Sequence, residues 1–233
     1  MRNNTFAGKI ISFCKELDYT GPLPPGIKIM NPFRNNPEVL PAIEQFYNRY
    51  YSDNKKRHMI LGINPGRFGA GVTGIPFTDT TRLREKCGIE IPGLKSFETS
   101  SVFVYEMIDR YGGPEKFYGE FYISSVSPLG FTSSGRSGKD VNYNYYDSRE
   151  LTESVLDFVL DSIRKQIGFG IERDLCFCLG TGKNHKFLKE MNSRHGFFER
   201  IVPLEHPRFI MQYRTKSKEL YIESYINKLS GIR

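Results

Sequence analysis

No stretch of this chain approaches the ~20 consecutive apolar residues that a membrane-spanning helix needs. Its first nineteen residues, MRNNTFAGKIISFCKELDY, lack the apolar core and cleavage site of a secretory signal. A soluble cytoplasmic protein, nucleoid-associated if bacterial and with no membrane partner, is the expectation. Cysteine is scarce too. The four, at 14, 87, 176 and 178, give no disulfide framework. Only Cys176 and Cys178 have a spacing that puts both thiols on one strand face, and two thiols do not complete a metal site. No metal and no cofactor are therefore expected. Repeats and a second hydrophobic unit are also lacking, so 233 residues with 39% hydrophobic content point to a single domain, 1–233. Acidic side chains are outnumbered, 26 against 33 basic, and the net charge of +7 suits a polyanionic partner without specifying one.

What is present is an alternation of two periodicities. Apolar residues at helical spacing predict helices over residues 4–18, 40–50, 80–86, 98–111, 151–167 and 215–230. Short apolar runs at 57–63, 121–126, 175–179 and 197–204 predict four buried strands. Residues 20–38, with five prolines, read as a surface connection. Strands alternating with helices imply an α/β fold: a three-layer α/β/α domain around a central, mainly parallel four-stranded sheet.

In such sheets ligands bind beyond the carboxyl ends of the strands, and there this chain places its unusual segments. Residues 61–79, LGINPGRFGAGVTGIPFTD, hold five glycines and two prolines, a loop that is shaped rather than slack. Asn64, ending the first strand, and Phe77, thirteen residues later, supply one polar and one stacking wall of a pocket. Residues 131–147, after the second strand, read as a loop mixing Arg136 and Lys139 with amides and tyrosines, the ingredients for phosphate contact and base stacking. Gly180-Thr181-Gly182-Lys183-Asn184 is not a nucleotide-phosphate loop. Phe177 stands where the first glycine is needed, and Asn184 where serine or threonine is. The last strand leads to His206-Pro207-Arg208-Phe209.

The first of these segments resembles the first motif of the uracil-DNA glycosylase superfamily, closest to its single-strand-selective monofunctional branch, through Gly62-Ile63-Asn64-Pro65-Gly66-Arg67-Phe68-Gly69 and Thr73-Gly74-Ile75-Pro76-Phe77. Pro128-Leu129, Ser134-Gly135-Arg136 and His206-Pro207 resemble later motifs, and the likeness runs from Asn31 to about Arg214. The resemblance implies a monofunctional DNA glycosylase, monomeric, acting on single- or double-stranded DNA containing a damaged base.

Carried over residue by residue, it makes Asn64 and His206 catalytic, Asn64 beside the attacking water and His206 beside the departing base. Gly62, Ile63, Phe68, Phe77 and Ser125 would bind the base, and Arg67, Arg136, Lys139, Arg208, Phe209 and Arg214 the DNA. Ser125 stands where close relatives have an asparagine that reads uracil, and it implies a looser pocket open to xanthine and hypoxanthine unless Asn142 or Asn144 swings in. Asp79 is a reserve carboxylate whose expected task is capping the next helix. Two other readings remain open: a non-catalytic nucleic-acid-binding module, which would have no use for both Asn64 and His206, and a small-molecule hydrolase, which would not bind DNA.

Overall fold

Chain connectivity in the computed structural model, which describes residues 4–135 and 138–232, alternates helices and strands much as the periodicities require. The order is α1 (Phe6–Glu16), β1 (Ile27–Met30), α2 (Pro32–Asn35), α3 (Val39–Tyr50), β2 (Arg57–Gly62), α4 (Ala70–Thr73), α5 (Thr80–Cys87), α6 (Thr99–Tyr111), α7 (Pro114–Glu120) and β3 (Phe121–Ser125). Then follow β4 (Gly130–Ser134), β5 (Asp140–Tyr143), α8 (Arg149–Ile167), β6 (Ile171–Leu179), α9 (Lys183–His195), β7 (Arg200–Leu204), α10 (Pro207–Tyr213) and α11 (Lys218–Ser230). Local chemistry sets the helix limits. Thr5, Asp79 and Ser148 each accept a hydrogen bond from a first-turn amide of α1, α5 and α8, and Gly88 closes α5 in a left-handed conformation.

Four strands form the central sheet in the order β3-β2-β6-β7, every pairing parallel. β3 is buried at every position, and so are the last four residues of β2 and the last five of β6. Strands buried on both faces need a layer of helices on each, which gives the three-layer α/β/α arrangement. Parallel pairing also brings all four carboxyl ends to one rim. The ladder runs on past the strands, with the Val126 amide donating to Gly62 O at 2.9 Å and the Ser127 amide to Ile63 O at 3.1 Å.

Several segments differ from expectation. Residues 131–147 are not a loop: β4 and β5 form an antiparallel hairpin, and β1, from the proline-rich connection, pairs with β4 to make a second, three-stranded sheet. Met30 lies opposite Gly130, a pairing too distant in sequence for local periodicity to show. Phe131 and Tyr145 are fully buried, so the hairpin is packed rather than solvated. The segment after His206 is helical (α10), because Pro207 sits at a first-turn position where its missing N–H costs nothing. α7, α9 and the short helices α2 and α4 have no counterpart among the expected helices, and α7 fits between Gly113 and β3.

At the base of β2, Arg57 is fully buried. Its guanidinium donates to Tyr118 O (2.7 Å), Lys55 O (2.8 Å) and Asp53 (2.9 Å), and lies 4.8 Å from the ring centres of both Phe6 and Tyr51. One cation thus ties α1, α3 and α7 to the central strand. Arg57→Met should lower unfolding free energy by about 3 kcal/mol, from the buried Tyr118 and Tyr50 carbonyls left without this donor and the lost cation–ring contacts. Urea denaturation should show the midpoint falling with the slope unchanged. An unchanged midpoint would mean water replaces the guanidinium at no cost.

Candidate active site

At the rim where the strands end, a cleft of about 610 Å³ opens between the β2–α4 loop, the start of α6, the hairpin and α10. It is lined by Asn64, Phe77, Ser125 and His206, each on a segment continuing from a strand or, for Ser125, on its last residue. The sheet topology alone therefore assembles residues scattered over most of the sequence.

Asn64 is held on both sides of its amide. Its Oδ1 accepts from the Tyr145 amide at 3.0 Å, while Nδ2 donates to Tyr143 O and Pro65 O, each at 3.3 Å. The backbone leaving β5 thus fixes which end of the amide faces where. Tyr145 is pinned in turn, its hydroxyl donating to Asn184 Oδ1 at 2.8 Å, and Asn184 Nδ2 donates to Leu179 O (3.0 Å) and Gly62 O (3.4 Å). Asn184, the residue that breaks the phosphate-loop pattern, locks the hairpin to the ends of β2 and β6. One lone pair of Asn64 Oδ1 stays free for a water.

Phe77 forms the facing wall. It adopts a left-handed backbone with φ of 52°, and its ring lies over Gly62, where a Cβ would sit 3.1 Å from the ring edge. Glycine at 62 is what lets the ring lie there. Gly62 is buried beneath the ring and does not itself line the cleft, a correction to its expected base contact.

The His206 ring centre is 5.8 Å from that of Phe77. Its Nδ1 accepts from the Arg208 amide at 3.1 Å as the cap of α10. In the neutral ring the proton therefore sits on Nε2. Burial, assisted by the Arg208 charge, lowers its pKa from 6.5 to about 4. At neutral pH His206 is thus an uncharged N–H donor.

Two carboxylates lie near the cleft and do different work. Asp79 is fully buried and out of a substrate's reach. It accepts from the Arg82 amide (2.8 Å), the Arg82 guanidinium (3.2 Å), the Glu98 amide (2.7 Å) and the Ser101 hydroxyl (2.7 Å). It caps α5 and fastens the start of α6 to the end of the Phe77 loop. Glu98 does line the cleft. Sequence reasoning saw in it only a helix start, and nothing local in the sequence distinguishes it from one.

Exposed rings surround the mouth: Phe68, Phe97, Phe209 and Tyr213. Guanidinium groups of Arg67, Arg82 and Arg214 lie over Phe68 (4.2 Å), Phe97 (4.8 Å) and Phe209 (5.6 Å). Of the expected contacts, Ile63, Arg67, Phe68, Arg208 and Phe209 line the cleft, with Phe68 on the rim rather than under a base. Lys139 is exposed in the hairpin turn, outside the lining, and Arg214 reaches the cleft only through Phe209. Arg136 falls outside the described residues. Phe97, Gln212 and Tyr213 were missed, being ordinary surface residues until α6 and α10 pack together.

The lowered His206 pKa makes the fold sensitive to acid. The unfolded chain binds a proton that the folded one refuses, so this residue's contribution to stability is full above pH 6.5 and is lost as pH falls from there toward 4. In an NMR titration the His206 ring signals should stay constant from pH 8 to about 5. A midpoint near that of free imidazole would show that the ring is not held neutral.

The sequence model of the uracil DNA glycosylase superfamily matches residues 49–230, which include Asn64, Phe77, Ser125 and His206. Among solved structures, wild-type SMUG2 of Pedobacter heparinus is similar, with 57% identity and a TM-score of 0.95 over 98% of each chain. The chain belongs to the uracil-DNA glycosylase superfamily and is a DNA glycosylase of its SMUG-like branch.

Proposed function

We propose that this glycosylase flips a deaminated base out of DNA and excises it, acting on uracil and also on xanthine and hypoxanthine, and leaves an abasic site in base excision repair. It works as a cytoplasmic monomer on single- or double-stranded DNA. The observation that carries the reading is the neutral His206 donor held 5.8 Å from the Phe77 ring in a cleft that also exposes Asn64. Phe77 stacks on the everted base. As the glycosidic bond breaks, its electron pair passes to the base, and the Nε2–H of His206 hydrogen-bonds the charge growing on a base oxygen without giving up its proton. Asn64 offers its free Oδ1 lone pair to the water whose oxygen bonds the sugar carbon, and that water's proton is then lost to solvent or to the departing base anion. An amide is too weak a base to deprotonate water in advance. Most of the acceleration therefore comes from stabilising the leaving base.

Breadth of substrate is supported by the wall at Ser125. Its hydroxyl is short and cannot supply a paired donor and acceptor. Neither nearby asparagine supplies the pair alone: Asn142 Oδ1 accepts from the Arg67 amide at 2.9 Å, which leaves only its Nδ2 as a donor, and the Asn144 side chain donates to Asp147 at 3.3 Å. A wall with serine in place of an amide at position 125 leaves room for two-ring bases.

Asn64→Ala and His206→Ala should each lower single-turnover excision by at least ~10², the low end for losing one polar catalytic group, with DNA affinity retained. Wild-type rates in either variant would remove that residue from the mechanism. Affinity should fall steeply with salt, each phosphate neutralised by Arg67, Arg208 or Arg214 adding roughly −0.7 to −0.9 to the log–log slope. A flat salt response would argue against phosphate contact. Ser125→Asn should shift the ratio of excision rates toward uracil, and an unchanged ratio would clear Ser125 of any part in base choice.

A further inference from the structure

Among the polar groups of the cleft, Glu98 stands apart because its carboxylate has no hydrogen-bond partner among the described residues. It occupies the cap position of α6 yet does not cap it. Its backbone is fixed instead, the amide donating to Asp79 at 2.7 Å and the carbonyl accepting from the Ser101 amide at 3.1 Å. The side chain turns onto the β2–α4 loop. A Cβ at Gly69 would lie 2.2 Å from Oε2, and one at Gly66 would lie 3.2 Å from Oε1 and 3.6 Å from Asn142 Nδ2. Glycine at both positions leaves space that the carboxylate fills. Because the Arg67 amide holds Asn142 Oδ1, Nδ2 is the end of Asn142 that faces this space. An acceptor and a donor therefore stand side by side in the cleft that holds Phe77, His206 and Ser125.

We propose that Glu98, with Asn142 beside it, is the specificity-determining group that accepts a hydrogen bond from the ring N–H of the everted base. This rests on the glycosylase reading above and names the feature by which the site recognises its substrates. Deamination of cytosine or adenine turns a ring nitrogen that accepts hydrogen bonds into one that donates: N3–H in uracil, N1–H in hypoxanthine. Xanthine carries N–H groups as well. A carboxylate welcomes such a donor and meets the lone pair of cytosine N3 or adenine N1 with repulsion. Guanine keeps N1–H, so its rejection falls to other contacts. The Asn142 amide supplies the donor for the adjacent carbonyl, and the two residues restore the donor–acceptor pair that Ser125 cannot provide. The charged groups facing Glu98 are Asp79 at the start of α5 and Arg208 on α10. Burial, with Asp79 assisting and the Arg208 charge opposing, raises the Glu98 pKa to about 7, so the carboxylate that accepts the ring N–H is complete only above that pH.

The test uses oligonucleotides carrying uracil, hypoxanthine, xanthine or 3-methyluracil, which lacks the ring N–H, and one carrying a tetrahydrofuran abasic analogue. Wild-type enzyme should excise uracil at least ~10-fold faster than 3-methyluracil, the scale of one charge-assisted hydrogen bond. Glu98→Ala should lower excision of the three deaminated bases by a similar factor, compress the uracil to 3-methyluracil ratio, and bind the abasic analogue as tightly as wild type. Glu98→Gln, nearly the same shape and able to accept more weakly, should lie between the two, and it carries the same test if the alanine variant does not fold. Wild-type rates in Glu98→Ala, or a general loss with the ratio intact, would overturn the proposal and leave the glycosylase reading standing. Wild-type enzyme inactive on all three deaminated bases would overturn that reading and this proposal with it.

Discussion

Parallel hydrogen bonding of β2 to a neighbour on each edge is the constraint from which the site follows. β3 and β6 align with it so that Gly62 pairs with Ser125 and Leu61 with Cys178. The direction and depth of every following loop are then set. Gly62 O accepts from both the Val126 amide and Asn184 Nδ2, so the point where β2 ends is bonded to material from β3 and α9. Asn64 and Phe77 diverge from a fixed origin, and His206 arrives from β7, whose Leu204 pairs with Leu179 of β6. Catalytic geometry here is a property of strand register before it is one of side chains.

Polar groups around the cleft divide by whether their partners are already present. Asp79 spends all its acceptors on the fold and Asn64 most of its amide on the hairpin, so both are rigid. His206 accepts at Nδ1 and keeps Nε2–H available, and Glu98 keeps its whole carboxylate. Groups whose hydrogen bonds are incomplete in the free protein are the ones a ligand can complete, since a buried polar group without a partner is costly. The rigid groups hold the incomplete ones in place.

The central sheet was legible because buried parallel strands are short, continuous apolar runs, and 57–63 and 121–126 are of that kind. The first motif was legible as well, since Asn64 and Phe77 are joined by a single loop whose glycines and prolines show its shape. The hairpin was not: β4 is rich in serine and glycine, and its other partner, β1, lies in a proline-rich stretch. Strand pairing across such distances leaves no local periodicity. Glu98 was hidden for a related reason. Its significance arises from Gly66, Gly69 and Asn142, brought to it by the fold from two other segments. Local pattern names the residues of one loop, whereas juxtaposition of loops is a tertiary fact.

Phe77 holds a left-handed backbone conformation that a residue with a Cβ enters at a cost of order 1 kcal/mol or more, and that glycine enters freely. The ring that carries this strain also packs against the core, and truncating it costs more than the strain released. Relaxing the backbone with glycine would therefore lose packing and the stacking wall together, and would yield no hardier variant. Any engineering of this enzyme for durability has to treat the strained phenylalanine as a fixed point and look for stability in the helical layers behind the sheet.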